Sequence, residues 1–157
     1  MKPPTYPVFL DIEASGLAAE SYPIEIAWNN AAGKIQSFLI KRHPEWTHWN
    51  DEAEKLHRIY REELEEHGIS LDEACDLLDK DLAGGHIFSD APFYERQWLN
   101  KLYDTASRKR PFTVQGISKI PEFRQAFVVK GTETDFNRFQ KKAFKELGDR
   151  HRATIDV

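Results

Sequence analysis

Apolar residues recur at two spacings along the chain, and the change of spacing separates predicted strands from predicted helices. The segments "FLDIE", "YPIEIAW" and "IQSFLIK" follow one another with short breaks, and each is rich in the residue types that favour strands. "NNAAGK", between the second and third, is typical of a hairpin connection with Gly33 in the turn. These segments predict a three-stranded antiparallel meander.

After the third strand the apolar period becomes that of a helix. "NDEAEKLHRIYREELEEHG" places Ala53, Leu56, Tyr60 and Leu64 at helical spacing, and Gly68 is a natural stop. We therefore expect one helix across this segment.

A capping box then opens a second predicted helix. In "SLDE", Ser70 can cap the helix while Glu73 reaches back to it. "GGHIFS" predicts a short buried strand, after which Ser89 or Asp90 is expected to cap a further helix.

The remainder of the chain is less regular until its last long helix. "FTVQGI" is consistent with a strand, "PEFRQAFVV" with either helix or strand, and "TETDFNRFQKKAFKELG" predicts an amphipathic helix. Strands first, then strands alternating with helices, predict an α/β fold with a mixed sheet flanked by helices. At 157 residues we expect a single domain, 1–157.

Composition narrows the class of protein. The chain is 40% hydrophobic and 31% charged, as in ordinary globular proteins, and it has no apolar run of about 20 residues, so no membrane span is expected. "MKPPTYPVF" lacks the apolar core of a secretory signal. A lone cysteine, Cys75, excludes an intrachain disulfide and favours a cytoplasmic location. The net charge of −4 argues against coating of nucleic acid by bulk electrostatics, but is compatible with a nuclease rich in metal-binding carboxylates.

Two acidic residues interrupt the first apolar strand. Asp11 and Glu13 are two positions apart, so both side chains point to one face of the strand. Neighbouring anions repel each other unless a cation lies between them, and a small-residue turn, "ASG", follows at once. The pattern fits a metal site and an exposed strand face about equally well.

The chain ends with "HRATIDV", in which His151 precedes Asp156 by five residues. On a regular helix these positions point about 140° apart. They can share a site if His151 lies before the helix, on an approach loop, where it would suit a catalytic base.

The set "FLDIEASGL", "YPIEIAW", "LHRIYREEL", "FSDAPFYERQWL" and "HRATIDV" resembles the DnaQ-like, or DEDD, 3′-5′ exonuclease superfamily. The H-x-x-x-x-D ending resembles its histidine-bearing branch, which includes ribonuclease T, oligoribonuclease and polymerase proofreading domains. Arg58 lies where glycine is common in that family.

This resemblance implies a ribonuclease H-like fold and a site for two Mg²⁺ or Mn²⁺ ions. Asp11 would bridge the ions, Glu13 and Asp156 would each hold one side, and His151 would deprotonate the attacking water. The expected substrate is the 3′ end of RNA or DNA. Histidine-bearing relatives are often dimers, but the sequence leaves open whether this chain is a monomer or a homodimer. Residues 14–17, that is Ala14, Ser15, Gly16 and Leu17, would form the wall against which the 3′-terminal nucleotide rests.

Two departures from the family pattern leave alternatives open. The family's middle motif is D-x-x-F-L, and the matching register here puts Glu95 where aspartate is expected, whereas Asp90 has the expected residue type five positions earlier. The family's last aspartate lies within a C-terminal helix, whereas here Asp156 is followed by one residue, which predicts a short last helix. These departures favour, as alternatives, a weakly active or inactive nucleic-acid-binding module, while the acidic net charge is consistent with a phosphodiesterase for small nucleotides.

Three further residue types have two interpretations each. Glu25 either supports the site, as the resemblance suggests, or is an outward strand charge. His57 is expected to pack or hydrogen-bond on its helix rather than bind metal. Trp28, Trp46 and Trp49 could stack a base, although Trp28 is expected in the core.

Overall fold

The computed structural model describes residues 6–121. The elements in chain order are β1 (Leu10–Ala14), β2 (Pro23–Asn29), β3 (Ile35–Leu39), α1 (Asp51–His57), α2 (Arg61–His67), α3 (Leu71–Leu82), β4 (His86–Ser89), α4 (Pro92–Thr105) and β5 (Thr113–Gly116). The helix predicted from "TETDFNRFQKKAFKELG" lies outside the described residues.

The strands form a mixed arrangement with β1 at its centre. Strands β1, β2 and β3 pair antiparallel in that order, which confirms the predicted meander, and β4 pairs with β5 in parallel. A parallel bridge between Phe9 and Phe88 connects the two groups, and the Phe88 N–H donates to the Val8 carbonyl at 2.9 Å. The spatial order is therefore β3-β2-β1-β4-β5.

Burial follows the residue types along β1 and β2. In β1, buried Leu10, Ile12 and Ala14 alternate with half-buried Asp11 and Glu13, as the two-residue period of a strand requires. Strand β2 is buried along its whole length. The inward side of β1 therefore contributes to the core, and its other side presents the acidic pair.

The prediction of a single helix between the meander and α3 is wrong. It is two short helices, α1 and α2, separated at Arg58, which has a left-handed backbone with φ of 56°. The break turns Ile59 fully into the core and leaves Leu56 and Tyr60 more than half exposed. The helical period therefore misassigned Leu56 and Tyr60, because the register changes at Arg58, whereas Leu64 is buried.

Helix α4 packs against the sheet, and α3 packs against α4. Ser70 and Glu73 form the predicted capping box at the start of α3. On α4, Trp98 and Leu99 face the core as expected. Neither Ser89 nor Asp90 is the N-cap of α4: that position is Ala91, whose N–H donates to the Ser89 hydroxyl at 2.9 Å.

Among the helices formed by residues 6–121, none has the length and apolar character needed to cross a lipid bilayer.

Candidate metal and nucleotide site

Three carboxylates converge where β1, the end of β4 and α4 meet. One carboxylate oxygen each of Asp11, Asp90 and Glu95 lies within 4.8 Å of the other two. Asp11 is half-buried, Asp90 is exposed and Glu95 is 1% exposed. Three acids from distant parts of the sequence are thus brought to one point on the molecule.

Glu95 has the most unusual environment of the three. Burial, followed by the negative charges of Asp11 and Asp90 and a hydrogen bond with Asp11, raises the pKa of Glu95 to about 11, against a smaller opposing effect from the N–H of Ile12. Its Oε2 atom is enclosed and has no hydrogen-bond partner within residues 6–121. Since a buried acceptor without a partner is costly, this atom is suited to contact a cation.

The residue types and charges of this carboxylate cluster can be compared with those that a divalent metal ion requires. Oxygen ligands from carboxylates are the donors that Mg²⁺ and Mn²⁺ prefer. A positive ion between Asp11, Asp90 and Glu95 would remove their mutual repulsion and occupy the free lone pairs of Glu95. The three residues fit such an ion.

The other acidic residue of β1 lies beside this cluster rather than in it. Glu13 lies opposite Glu25 in the register of β1 and β2, so their side chains project to the same side of the sheet. Glu25 is 3% exposed, so its interpretation as an outward strand charge is wrong. Glu13 instead lines a cavity that begins next to the carboxylate cluster.

This first cavity has a volume of about 300 Å³ and mostly apolar walls. Its floor includes Ile12 and Trp98, the latter one helical turn beyond Glu95 on α4. Leu17 and Leu56 line it and are 67% and 58% exposed, so both lie at the rim. A shape of this kind accepts a flat, partly apolar group such as a nucleobase.

Of the four residues 14–17 predicted to form the wall, three line the cavity and one supports the turn. Ala14, Gly16 and Leu17 line the cavity. Ser15 is buried: its hydroxyl accepts a hydrogen bond from the Tyr22 N–H at 3.1 Å and lies 3.2 Å from Nδ1 of His48. Ser15 therefore fixes the turn on which its neighbours are presented.

Glycine is required at position 16 because the backbone there lies close to a neighbouring segment of the chain. A Cβ atom at this position would lie 2.6 Å from Cε1 of His48 and 3.1 Å from Cβ of Asn50. The turn after β1 and the segment before α1 are consequently in direct contact, and Asn50 lines the same cavity.

Asn50 and His48 did not stand out in the sequence. Asn50 caps α1 by accepting from the Ala53 N–H at 2.9 Å, and that cap places it at the cavity wall. A cap signal was present in "WNDEAE", but the contact with the turn after β1 depends on long-range packing. His57 is buried, accepts a hydrogen bond from the Ile59 N–H at 3.0 Å and also lines the cavity.

The remaining predicted site residues, His151 and Asp156, lie outside the described residues. Their predicted roles as general base and metal ligand stay predictions.

No protein-family model matches the sequence. No curated protein matches it either.

Solved structures do match the fold. E. coli exonuclease I in complex with a dT13 oligonucleotide aligns with a TM-score of 0.59 and 12% identity over 72% of this chain and 28% of that chain. A product-bound exonuclease I structure aligns with a TM-score of 0.60 and 12% identity over 72% and 30%. Exonuclease I from Methylocaldum szegediense aligns with a TM-score of 0.57 and 14% identity over 70% and 27%.

The matched region is therefore less than a third of each exonuclease I chain. At this level of identity the likeness shows the fold and nothing finer. The mixed sheet with flanking helices is a ribonuclease H-like fold, as the sequence predicted.

Proposed function

We propose that this protein is a divalent-metal-dependent 3′-5′ exonuclease that hydrolyses phosphodiester bonds at the 3′ end of single-stranded or short nucleic acid. The observation that carries the proposal is the convergence of Asp11, Asp90 and Glu95 beside an apolar cavity of nucleobase size. The exonuclease I structures that share the fold, one of them solved with a dT13 oligonucleotide, support the same substrate class.

The described residues would hold the metal from three elements. Asp11 on β1 would face both ions, Glu13 would contact one ion from the cavity side, and Asp90 and Glu95 would approach from α4 and the turn before it. Both middle-motif candidates are close enough to Asp11 to take part. Bound divalent ions would act as Lewis acids that stabilise the negative charge developing on the attacking and leaving oxygens.

The chain's own residues would position the substrate and move the proton. The 3′-terminal base would enter the cavity between Leu17 and Leu56, which places the adjoining phosphate at the cavity mouth near Glu13. By the resemblance, His151 would accept the proton of the attacking water and Asp156 would complete the ligand set. Exclusion of water by the apolar walls would strengthen the electrostatic interactions at the phosphate.

The direct test is digestion of a 5′-labelled single-stranded oligonucleotide in Mn²⁺ or Mg²⁺. The wild type should give a ladder that shortens from the 3′ end, and Asp11→Asn should abolish it. Asp104→Asn is the matched control, because Asp104 is an exposed aspartate on α4 outside the carboxylate cluster. Equal digestion by wild type and Asp11→Asn would refute the proposal, as would no digestion by either.

One observation favours a second candidate function, a catalytically weak or inactive nucleic-acid-binding module. The hydrogen bond between Glu95 and Asp11 lets the site satisfy part of its own charge without metal. Calorimetric titration with Mn²⁺ separates the two functions: heat of binding that disappears in Asp11→Asn supports the exonuclease, and silence in the wild type supports the binding module.

A further inference from the structure

A second cavity, of about 250 Å³, lies behind one wall of the first. Thr47 and Trp49 line the second cavity, whereas Asn50 lines the first and His48 lies against Gly16. Successive residues of this extended segment thus face opposite sides. Residues 47–50 therefore form a partition between the two cavities.

The partition carries an aromatic ring in a fixed orientation. Trp49 is half-buried, and its indole N–H donates to Oε2 of Glu54 at 2.9 Å. Its ring makes a T-shaped contact with the ring of His57, which lines the first cavity, with centroids 6.1 Å apart. The guanidinium of Arg61 lies 5.3 Å from the centroid of the Trp49 ring. Trp28, Trp46 and Trp98 are at most 6% exposed, so the half-buried Trp49 is the most exposed of the four tryptophans.

Two arginines converge in the same cavity. Arg42 and Arg61 line it together with Glu62 and Glu65. Burial raises the pKa of Tyr22, and both guanidinium groups act to lower it, so both lie near that phenol. Arg42 is 3.9 Å from Glu65, and the two side chains are 39% and 50% exposed. An ion pair of that length and exposure is weak, so a phosphate can compete for Arg42.

We infer that the second cavity is a subsite for the nucleotide preceding the 3′-terminal one, with Arg42 and Arg61 binding its phosphate and Trp49 stacking its base. This inference rests on the proposed function, because it assumes that the terminal nucleotide occupies the first cavity. Base stacking on an aromatic ring combined with arginine contacts to phosphate is the usual way in which proteins bind single strands. Glu62 and Glu65 line the same cavity and would oppose the binding of phosphate, so removal of the Glu65 charge should strengthen that binding.

The test compares the affinities of thymidine 5′-monophosphate and a fluorescein-labelled hexathymidylate in EDTA, by calorimetry and fluorescence anisotropy respectively. Arg42→Gln and Arg61→Gln should each raise the Kd for the hexamer about tenfold and leave the Kd for the monophosphate unchanged. Each should also reduce the slope of log K against log salt by about 0.7, the value for one lost phosphate contact to a single strand. Glu65→Gln should lower the Kd for the hexamer.

Lys80→Gln is the matched control, because it makes the same change in net charge at an exposed position of α3, an element that contributes no residue to either cavity. If both arginine variants bind the hexamer with unchanged affinity and salt slope, and still bind the monophosphate, the subsite is overturned and the proposed function is left intact. Failure of the wild type to bind the hexamer, with the monophosphate bound, would also overturn the subsite. Equal weakening by Lys80→Gln would assign the effect to bulk charge and overturn the subsite.

Discussion

The carboxyl group of Glu95 on α4 is hydrogen-bonded to the carboxylate of Asp11 on β1. These two residues are far apart in the sequence and come together because α4 packs against the central strand. In the absence of metal the pair is stabilised by the proton that the buried Glu95 retains. A metal ion between them would replace that proton with a larger positive charge.

The first prediction concerns Glu95→Gln. In EDTA at pH 7.5 the variant should have a higher free energy of unfolding than the wild type, because it removes a buried group that must take up a proton to fold. It should also lose the stabilisation by Mn²⁺, which for the wild type is about 2.7 kcal/mol at 100 times the Kd. Urea denaturation with and without Mn²⁺ measures both effects. The same Mn²⁺-dependent gain in wild type and variant would exclude Glu95 as a ligand.

The second prediction concerns the backbone at Arg58. A left-handed conformation costs a residue with a side chain about 1–2 kcal/mol, whereas glycine adopts it freely. Arg58→Gly should therefore raise the free energy of unfolding by about 0.5–1 kcal/mol, once the greater unfolded-state entropy of glycine is subtracted. Arg58→Ala, which removes the same side chain but keeps Cβ, is the control and should give no gain in urea denaturation. Equal effects of the two substitutions would contradict the assignment of strain.

The third prediction concerns the contact between Gly16 and His48. Gly16→Ala should lower the free energy of unfolding by about 1–3 kcal/mol, because the new Cβ atom would overlap the imidazole and force the partition at residues 47–50 to move. It should also weaken binding of thymidine monophosphate. Gly116→Ala is the control, since its Cβ would meet neighbours at 3.5 Å or more, and it should have little effect on thermal unfolding or on binding. If both variants bind the monophosphate as the wild type does, the close packing of this wall is not needed for binding.

The fourth prediction is a pH dependence at Cys75. Burial raises the pKa of this thiol from 9.0 to about 11, and its side chain has no exposed surface. The folded state therefore retains a proton that the unfolded state loses between about pH 9 and 11, so this thiol's contribution to stability is complete below pH 9 and falls as pH rises through that window. Labelling by iodoacetamide at pH 8 should be slow and should follow global unfolding in urea. Rapid labelling of the native protein would contradict the burial of Cys75.

The sequence predicted the parts of the fold that depend on local pattern. The alternation in "FLDIE" gave the shared face of Asp11 and Glu13, and "SLDE" gave the cap of α3, because both signals involve residues close together in the chain. The division of α1 from α2 was missed, because it depends on the one left-handed residue, Arg58, in an otherwise helical period. Uniform helical spacing of apolar residues does not show which single residue adopts a left-handed backbone conformation.

The candidate site was accessible to sequence reasoning only in part. Asp90 and Glu95 were competing candidates because residue type favoured one and register the other, whereas the structure brings both near Asp11. The five-residue separation spans the turn into α4 and its first turn, so both side chains can point to one place. The cavity walls at Asn50 and Trp98, and the partition that carries Trp49, result from packing between distant segments and have no local signature.

The central claim is that Asp11, Asp90 and Glu95 bind a divalent cation. Anomalous diffraction from a crystal of the protein equilibrated with Mn²⁺ tests it most directly. We expect a manganese peak in contact with Asp11 and at least one of Asp90 and Glu95, and we expect the hydrogen bond between Glu95 and Asp11 to be broken. If saturating Mn²⁺ gives no peak between these carboxylates and that hydrogen bond stays intact, these residues do not bind the cation.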